Sequence, residues 1–249
     1  MMAKIRCHAV TGQMGMTVLD IPAFPGERFG MGFPEAIGDM NRTGWLNQSQ
    51  PEWTQLEDGA WKQTGRWEGE LSYELTVEPQ EDYVDVRQSV TNQSNRDWPN
   101  SVAFNCFQCG GAPSIRDHEC VRHWVATGGE LKRLPNIPRQ FSPRPTVQLY
   151  SVEGAPAGMD LPFVANFHAT PDVVLEGWMA IESRDGKRLV AAVSKPAMFL
   201  FQNMEYSCIH SGAGFGPLRR GETGKALTRL YFVEASVEEW YGRMKGELG

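Results

Sequence analysis

The nine residues Asn203-Met204-Glu205-Tyr206-Ser207-Cys208-Ile209-His210-Ser211 gather an unusual share of groups able to do chemistry. In an extended chain, Met204, Tyr206, Cys208 and His210 point to one face, and Glu205, Ser207 and Ile209 to the other. A phenol and an imidazole on one strand face can share acid and base work, because imidazole titrates near neutrality and a phenol can protonate a developing oxyanion. The same residues would equally serve as polar caps on the rim of a core. A second set lies in Asp117-His118-Glu119-Cys120-Val121-Arg122-His123-Trp124-Val125. On a strand, His118, Cys120, Arg122 and Trp124 share a face that offers an imidazole, a fixed cation able to grip a carboxylate in two places, and a ring for stacking. An ordinary amphipathic strand, with the Arg stem lying along apolar surface, accounts for the pattern as well. His210, Tyr206 and His118 are therefore the candidate catalytic residues. Arg122 and Trp124, joined by Gln108 and Asn203, form the candidate substrate-binding set.

A metal reading competes with this one. Cys106-x2-Cys109 and Cys120-x2-His123 have ligand types and spacings that suit structural zinc. The first pair, however, lies in Val102-Ala103-Phe104-Asn105-Cys106-Phe107-Gln108-Cys109, which alternates like a buried strand and sends positions 106 and 109 to opposite faces. The spacing is read as fortuitous, and no cofactor is expected. Other familiar arrangements are missing: no Gly-x-Ser-x-Gly elbow, no His-Glu-x-x-His, no Walker loop, no dinucleotide fingerprint and no His-x-His. Glu74, Glu78, Asp117, Glu182 and Glu205 offer carboxylates for a glycosidase pair, but sequence spacing does not say which two meet.

The elements that would position these groups are strands. Composition is globular, with 41% hydrophobic and 22% charged residues in 249. A net charge of -6 and scattered Lys and Arg argue against nucleic acid. No apolar stretch is long enough to cross a bilayer, and Met1-Met2-Ala3-Lys4-Ile5-Arg6 opens without an apolar signal core. A cytoplasmic protein is expected as the sequence stands, or an exported one if a leader was trimmed. Five cysteines, an odd number in a long chain, suit reduced thiols better than a disulfide framework. Eight Trp residues fill a core first, but an exposed indole also stacks on sugar rings.

Strict alternation from Trp67 to Glu78, then Val84, Val86 and Val90 within Tyr83 to Thr91, predicts an antiparallel hairpin. A second hairpin is predicted from Val173–Ile181 and Leu189–Val193, with a type I′ turn around Asp185-Gly186. Further strands are expected at Ile5–Val10, Met16–Ile21, Val102–Cys109, Glu119–Ala126, Thr146–Val152, Phe163–His168, Ala197–Gln202, Tyr206–His210 and Ala226–Val233. Pro22–Pro51 and Arg133–Pro145 read as irregular, and Ser211–Gly216 as a loop. Ser236 with Glu239 predicts a capping box, opening a C-terminal helix that buries Val237, Trp240, Tyr241 and Met244. The reading is an all-β chain, a large antiparallel two-sheet sandwich over residues 1–249 with one short helix.

This order of elements resembles a known family. The run from Trp67 through Val90-Thr91-Asn92 and a Trp-Pro loop to Gln108 resembles the β-supersandwich of galactose-mutarotase-like domains. Gly214 to Thr223, followed by Leu227 to Val233, is similar to the turn and final strand of such sandwiches. The aldose epimerase signature is absent, so mutarotase activity is not implied. What the resemblance implies is a concave sheet that holds a saccharide. The expected function is a carbohydrate-active enzyme in which Arg122 and Trp124 hold the sugar while His210, with Tyr206 or His118, exchanges a proton. Lyase, epimerase and hydrolase chemistries stay open, and a uronic acid would place its carboxylate on the Arg. The alternative is a non-catalytic glycan-binding or accessory domain. The expected partner is a saccharide, without nucleic acid or membrane, and the chain is compatible with a homo-oligomer.

Overall fold

A computed structural model of the chain describes residues 4–9, 15–40, 52–138, 146–155, 160–161, 167–168 and 173–249. Among these, one sheet of eight strands contains β1 (Arg6–Ala9), β2 (Met16–Leu19), β3 (Phe29–Asp39), β8 (Trp98–Gln108), β11 (Val147–Val152), β14 (Val174–Leu175), β17 (Ala197–Asn203) and β18 (Cys208–Leu218). Its order is β1-β2-β3-β8-β18-β17-β11-β14. A second sheet of nine contains β4 (Trp53–Gln55), β5 (Trp61–Trp67), β6 (Leu71–Pro79), β7 (Tyr83–Asn92), β9 (His123–Thr127), β10 (Glu130–Arg133), β15 (Trp178–Glu182), β16 (Leu189–Lys195) and β19 (Thr223–Val233). Its order is β10-β9-β15-β16-β19-β7-β6-β5-β4. A separate pair joins β12 (Asp160–Leu161) to β13 (Phe167–His168). Neighbouring strands are antiparallel except β11 and β14. The helix α1 (Val237–Leu248) closes the chain, and no helix among the described residues is long and apolar enough to cross a membrane.

The alternating sequences bury one parity between the sheets. Leu75 and Val77 of β6, Val84 and Val86 of β7, Phe107 of β8, Ile209 of β18 and Phe232 of β19 join one inter-sheet cluster. Leu71, Tyr73, Val90, Ala103 and Ala213 join another. Between the two lies a polar layer that is hydrogen-bonded throughout. Gln88 and Asn105 exchange amide bonds of 3.1 and 2.7 Å across the sheets. The Asn105 amide also donates to Thr228 Oγ1 at 3.2 Å, and the Thr228 and Ser194 hydroxyls meet at 2.8 Å. Ser194 Oγ donates to the Ser211 carbonyl at 2.7 Å, while Ser211 Oγ donates to the Gly177 carbonyl at 2.8 Å. Each side-chain amide and hydroxyl of this layer has a partner, which removes the penalty that buried polar groups otherwise carry.

The helix forms where the capping box predicts it. Ser236 Oγ accepts from Glu239 N at 3.2 Å, and the Glu239 carboxylate accepts from Ser236 N at 2.9 Å. Trp240, Tyr241 and Met244 pack with Trp178, Ala191 and Tyr231 on the outer face of the nine-stranded sheet. An ionic lattice seals the joint: Arg229 grips buried Asp85 at 2.6 and 2.9 Å and reaches Glu247 at 2.9 Å. Glu247 also accepts from Arg243 Nε at 2.6 Å and from Tyr231 at 2.8 Å.

Several local expectations are corrected. The strand read as Trp67–Glu78 starts at Leu71, because Gly69 at φ +71° turns the chain and leaves Trp67 at the end of β5. Val174–Leu175 leaves the second hairpin to pair with β11 in the other sheet. The Asp185-Gly186 connection is not type I′, since only Gly186 has positive φ. Glu119–Ala126 becomes strand only at His123, after Cys120 at φ +57°; Tyr206–His210 becomes strand only at Cys208, after Ser207 at φ +48°. Pro22–Pro51 holds the long strand β3. Ser211–Gly216 is strand too, with Gly212 and Gly214 required by packing: a Cβ on Gly212 would stand 2.5 Å from the Phe199 ring. In Arg133–Pro145, Leu134–Asn136 forms a 3-10 turn and 139–145 lie outside the described residues. Of the strand read as Phe163–His168, only Phe167–His168 is described.

Two outcomes test this account. Asn105→Leu should cost about 2 to 3 kcal/mol in urea unfolding, because it strands the Gln88 amide in the interior; a loss below about 0.5 kcal/mol would show that the polar layer adds nothing. Burial pushes the Glu247 carboxyl up, but the bonds from Arg243 and Tyr231 and the nearby guanidinium charges outweigh it and hold it below the usual value. Its stabilising effect is therefore present above the unfolded carboxylate pKa and lost as pH falls through the lower folded one. Glu247→Gln should lower stability by about 1 kcal/mol at neutral pH and flatten the acid limb of a melting-temperature profile. An unchanged acid limb would remove Glu247 from that role.

Candidate functional site

The unbroken pairing on either side, Ile209 with Phe107 and Ala213 with Ala103, sets His210 across from Cys106. Phe107 and Ile209 face the inter-sheet core, so Cys106, Cys208 and His210 face the outer side of the eight-stranded sheet. There Phe104, Phe199, Phe201 and Leu149 form an apolar bed. The His210 ring packs 4.6 Å from Phe104 and 4.9 Å from Phe201. Its Nδ1 lies 3.1 Å from the Phe201 carbonyl, and since a carbonyl only accepts, the proton sits on Nδ1. Cys106 Sγ, Cys208 Sγ and a ring nitrogen of His210 lie within 4.8 Å of one another, all buried.

Glu35 approaches Cys106 from β3. Pairing of β3 with β8 is interrupted between Gly32 and Ala36, and this irregularity carries Glu35 over Cys106. Gly32 leaves the room, since a Cβ there would meet Glu35 Oε1 at 3.2 Å and Cys106 at 3.5 Å. The electrostatics are coupled. The hydrogen bond from Cys106 pulls the Cys208 thiol well below its ordinary value against the effect of burial, helped by the charge of His210. The same bond, together with burial, pushes Cys106 up. Burial would lower His210, yet the Cys208 thiolate beside it raises it on balance. Burial raises Glu35. Cys208 and His210 are thus shifted in opposite directions, each favouring the charged form of the other, beside a half-buried carboxyl.

The predicted catalytic residues are divided by this arrangement. His210 sits in the buried cluster. Tyr206 does not share its strand face: it lies in the turn before β18 and is 66% exposed. His118 is exposed in the loop before β9, its Nδ1 donating to the Met204 carbonyl at 2.6 Å, which leaves Nε2 with the free lone pair. This loop and the 204–207 turn are clasped together: Asp117 N donates to Ser207 Oγ at 2.9 Å and Cys109 N to the Ser207 carbonyl at 3.0 Å. Exposed Gln108 ends β8 opposite Cys208, and Asn203, also paired with Cys208, accepts from Glu205 N at 2.9 Å. His118, Tyr206, Gln108 and Asn203 thus gather at one end of the eight-stranded sheet, next to the buried cluster.

The proposed sugar-holding pair lies elsewhere. Arg122 donates to the carbonyls of Ser114, Ile115, Arg116 and Glu182, so its guanidinium is occupied by backbone. Trp124 packs in the cluster under the helix, on the outer face of the other sheet, with the Arg133 guanidinium 4.0 Å from its ring. Residues 117–122 are not a strand, which is why the alternation read from His118 to Trp124 does not place them on one surface. The Trp excess is mostly packing: Trp98, Trp178 and Trp240 are fully buried, and Trp67 is the exposed one among the described residues. The four zinc candidates do not assemble either. Cys109 and Cys120 belong to the inter-sheet core, Cys106 lies on the opposite face, and His123 Nδ1 bonds buried Asp117 at 3.1 Å. None of the five cysteines forms a disulfide.

Sequence reasoning missed Glu35, which sat in a segment read as irregular, and the Asp117–His123 pair, which closes a loop read as strand. No signal of spacing marks Glu35; only the interrupted pairing of β3 delivers it. No protein-family model matches the sequence, and no curated protein matches it. Among solved structures the chain is similar to a putative aldose 1-epimerase from Escherichia coli K12, at 9% identity over 92% of this chain and 99% of that one, with a TM-score of 0.47. It is also similar to a galactose mutarotase-like protein from Lactobacillus casei, at 12% identity over 92% of this chain and 100% of that one, with a TM-score of 0.49. A GalM/aldose epimerase homologue from C. elegans shares 8% identity over 94% of this chain and 100% of that one, with a TM-score of 0.44. These likenesses concern the type of architecture and transfer no residue role.

Proposed function

We propose that the protein is a carbohydrate-active enzyme working at the end of the eight-stranded sheet where His118, Tyr206, Gln108 and Asn203 gather. The observation that carries the reading is the state of His118. Its Nδ1 proton is committed to the Met204 carbonyl, so the exposed Nε2 is presented as a proton acceptor in a fixed orientation. Tyr206 on the adjoining turn supplies a hydroxyl that can donate to a sugar oxygen. Gln108 brings an amide able to pair with ring hydroxyls. The saccharide class rests on the sequence resemblance already described, and the amides of Gln108 and Asn203 suit a ligand made of hydroxyl groups. His210 is reassigned from proton carrier to a member of the buried cluster beneath. Arg122, occupied by four carbonyls, is reassigned to holding the loop that carries His118.

The test is turnover on a panel of aldoses, oligosaccharides and uronic-acid-containing glycans. The wild-type chain should convert at least one member, and His118→Ala should slow it by about 100- to 10,000-fold with little change in melting temperature, since the ring is exposed. Calorimetric binding without product would favour the non-catalytic glycan-binding domain. Undiminished turnover in His118→Ala would end the assignment.

A further inference from the structure

The five cysteines fall into two kinds. Cys7, Cys109 and Cys120 pack inside the main hydrophobic cluster, behaving as small apolar side chains. Cys106 and Cys208 belong to none of the hydrophobic clusters, although both are buried. Their sulfurs instead lie with a ring nitrogen of His210, all three within 4.8 Å, the one such group of potential metal ligands among the described residues. A tetrahedral zinc ion holds sulfur at about 2.3 Å and nitrogen at about 2.0 Å, which spaces its ligands by roughly 3.5 Å. The three atoms, within 4.8 Å of one another, already lie near that separation.

The frame around them fits the same use. Cys208 and His210 are two apart on one strand and so share a face, while Cys106 comes from the neighbouring strand in an unbroken register, so the backbone itself fixes the three donors. The Phe201 carbonyl accepts a hydrogen bond from Nδ1 and so orients the imidazole with its other nitrogen toward Cys208, the arrangement that metal-bound histidines use. Glu35, half-buried, reaches Cys106 at the edge of the cluster, from where its carboxylate could move in as a fourth ligand. Two thiolates and an imidazole select soft or borderline cations over calcium or magnesium.

We propose that Cys106, Cys208 and His210, with Glu35 at the open side, form a binding site for a single thiophilic divalent cation, with zinc as the ordinary occupant. The proposal stands on the geometry of the cluster and is independent of the carbohydrate reading. Of the four zinc candidates suggested by spacing, Cys106 alone belongs to this ligand set. Binding exchanges the thiol protons for the metal and leaves the sulfurs at the oxidation level they already have, so no redox partner is involved.

The experiment is titration of the reduced, metal-stripped full chain with Cd2+, followed by the ultraviolet sulfur-to-metal charge-transfer absorption, and then competition with Zn2+. One equivalent should bind, zinc should displace it, and Cys106→Ser or Cys208→Ser should weaken binding at least about tenfold. Cys109→Ala serves as the comparison and should bind as the wild type does. A readout on the unaltered protein covers variants that fail to fold: after alkylation with and without Zn2+, peptide mass mapping should find protection at Cys106 and Cys208. Failure to bind one equivalent at micromolar metal, or protection mapped to Cys7, Cys109 or Cys120, would overturn the proposal. His118→Ala should leave the titration unchanged, so loss of either assignment is read separately from the other.

Discussion

The buried polar layer between the sheets is the constraint on which the rest depends. Hydrophobic burial between two faces of Val, Leu, Ile and Phe is non-directional and tolerates sliding, whereas the amide exchange of Gln88 with Asn105 and the hydroxyl chain through Thr228, Ser194 and Ser211 do not. Asn105 and Ser211 face inward because they share parity with Phe107 and Ile209. A slip of one residue would bury Cys106 and His210 between the sheets and turn the two polar residues out, leaving Gln88 and Thr228 unsatisfied. The inward partners therefore decide which side chains are offered outward, and in what pairing.

A division of labour follows from that register. Just beneath the outer surface, strands β8 and β18 present sulfur and imidazole from rigid backbone, and the interrupted pairing of β3 adds a carboxylate. At the end of the same sheet, the loop carrying His118 and the turn carrying Tyr206 are tied to each other through Asp117 and Ser207. Arg122 secures the loop from behind by gathering four carbonyls, a role its charge and planar fork suit but one that withdraws it from any ligand. On the far sheet, Arg229, Asp85 and Glu247 perform the corresponding task for the helix.

How much of this was legible in the sequence varied with the kind of signal. Alternation over β6 and β7 and the Ser236–Glu239 box were read correctly, because each depends on side chains a few residues apart. Strand β3 was passed over because Gly30, Gly32, Pro34 and Gly38 look like loop composition, and Gly212 and Gly214 hid the middle of β18 in the same way. At Gly30, Gly212 and Gly214 glycine makes room for a side chain on a neighbouring strand, Gln108, Phe199 and Met198 in turn. The faces assigned to Tyr206 and Arg122 failed for the opposite reason: positive φ at Ser207 and Cys120 breaks the alternation just before each strand begins.

By itself the sequence determined that the chain would be almost all strand, with a capped helix at its end, and that histidine, tyrosine and cysteine near positions 118 and 208 were the groups to watch. These follow from local periodicity and side-chain chemistry, which act over a few residues. Only the tertiary structure decided that Cys106 would meet Cys208 and His210, that Glu35 would stand over them, and that Arg122 and Trp124 would be spent on the scaffold. Such meetings depend on strand order and register between segments about a hundred residues apart, and side-chain direction along one strand carries no record of which strand lies next to it.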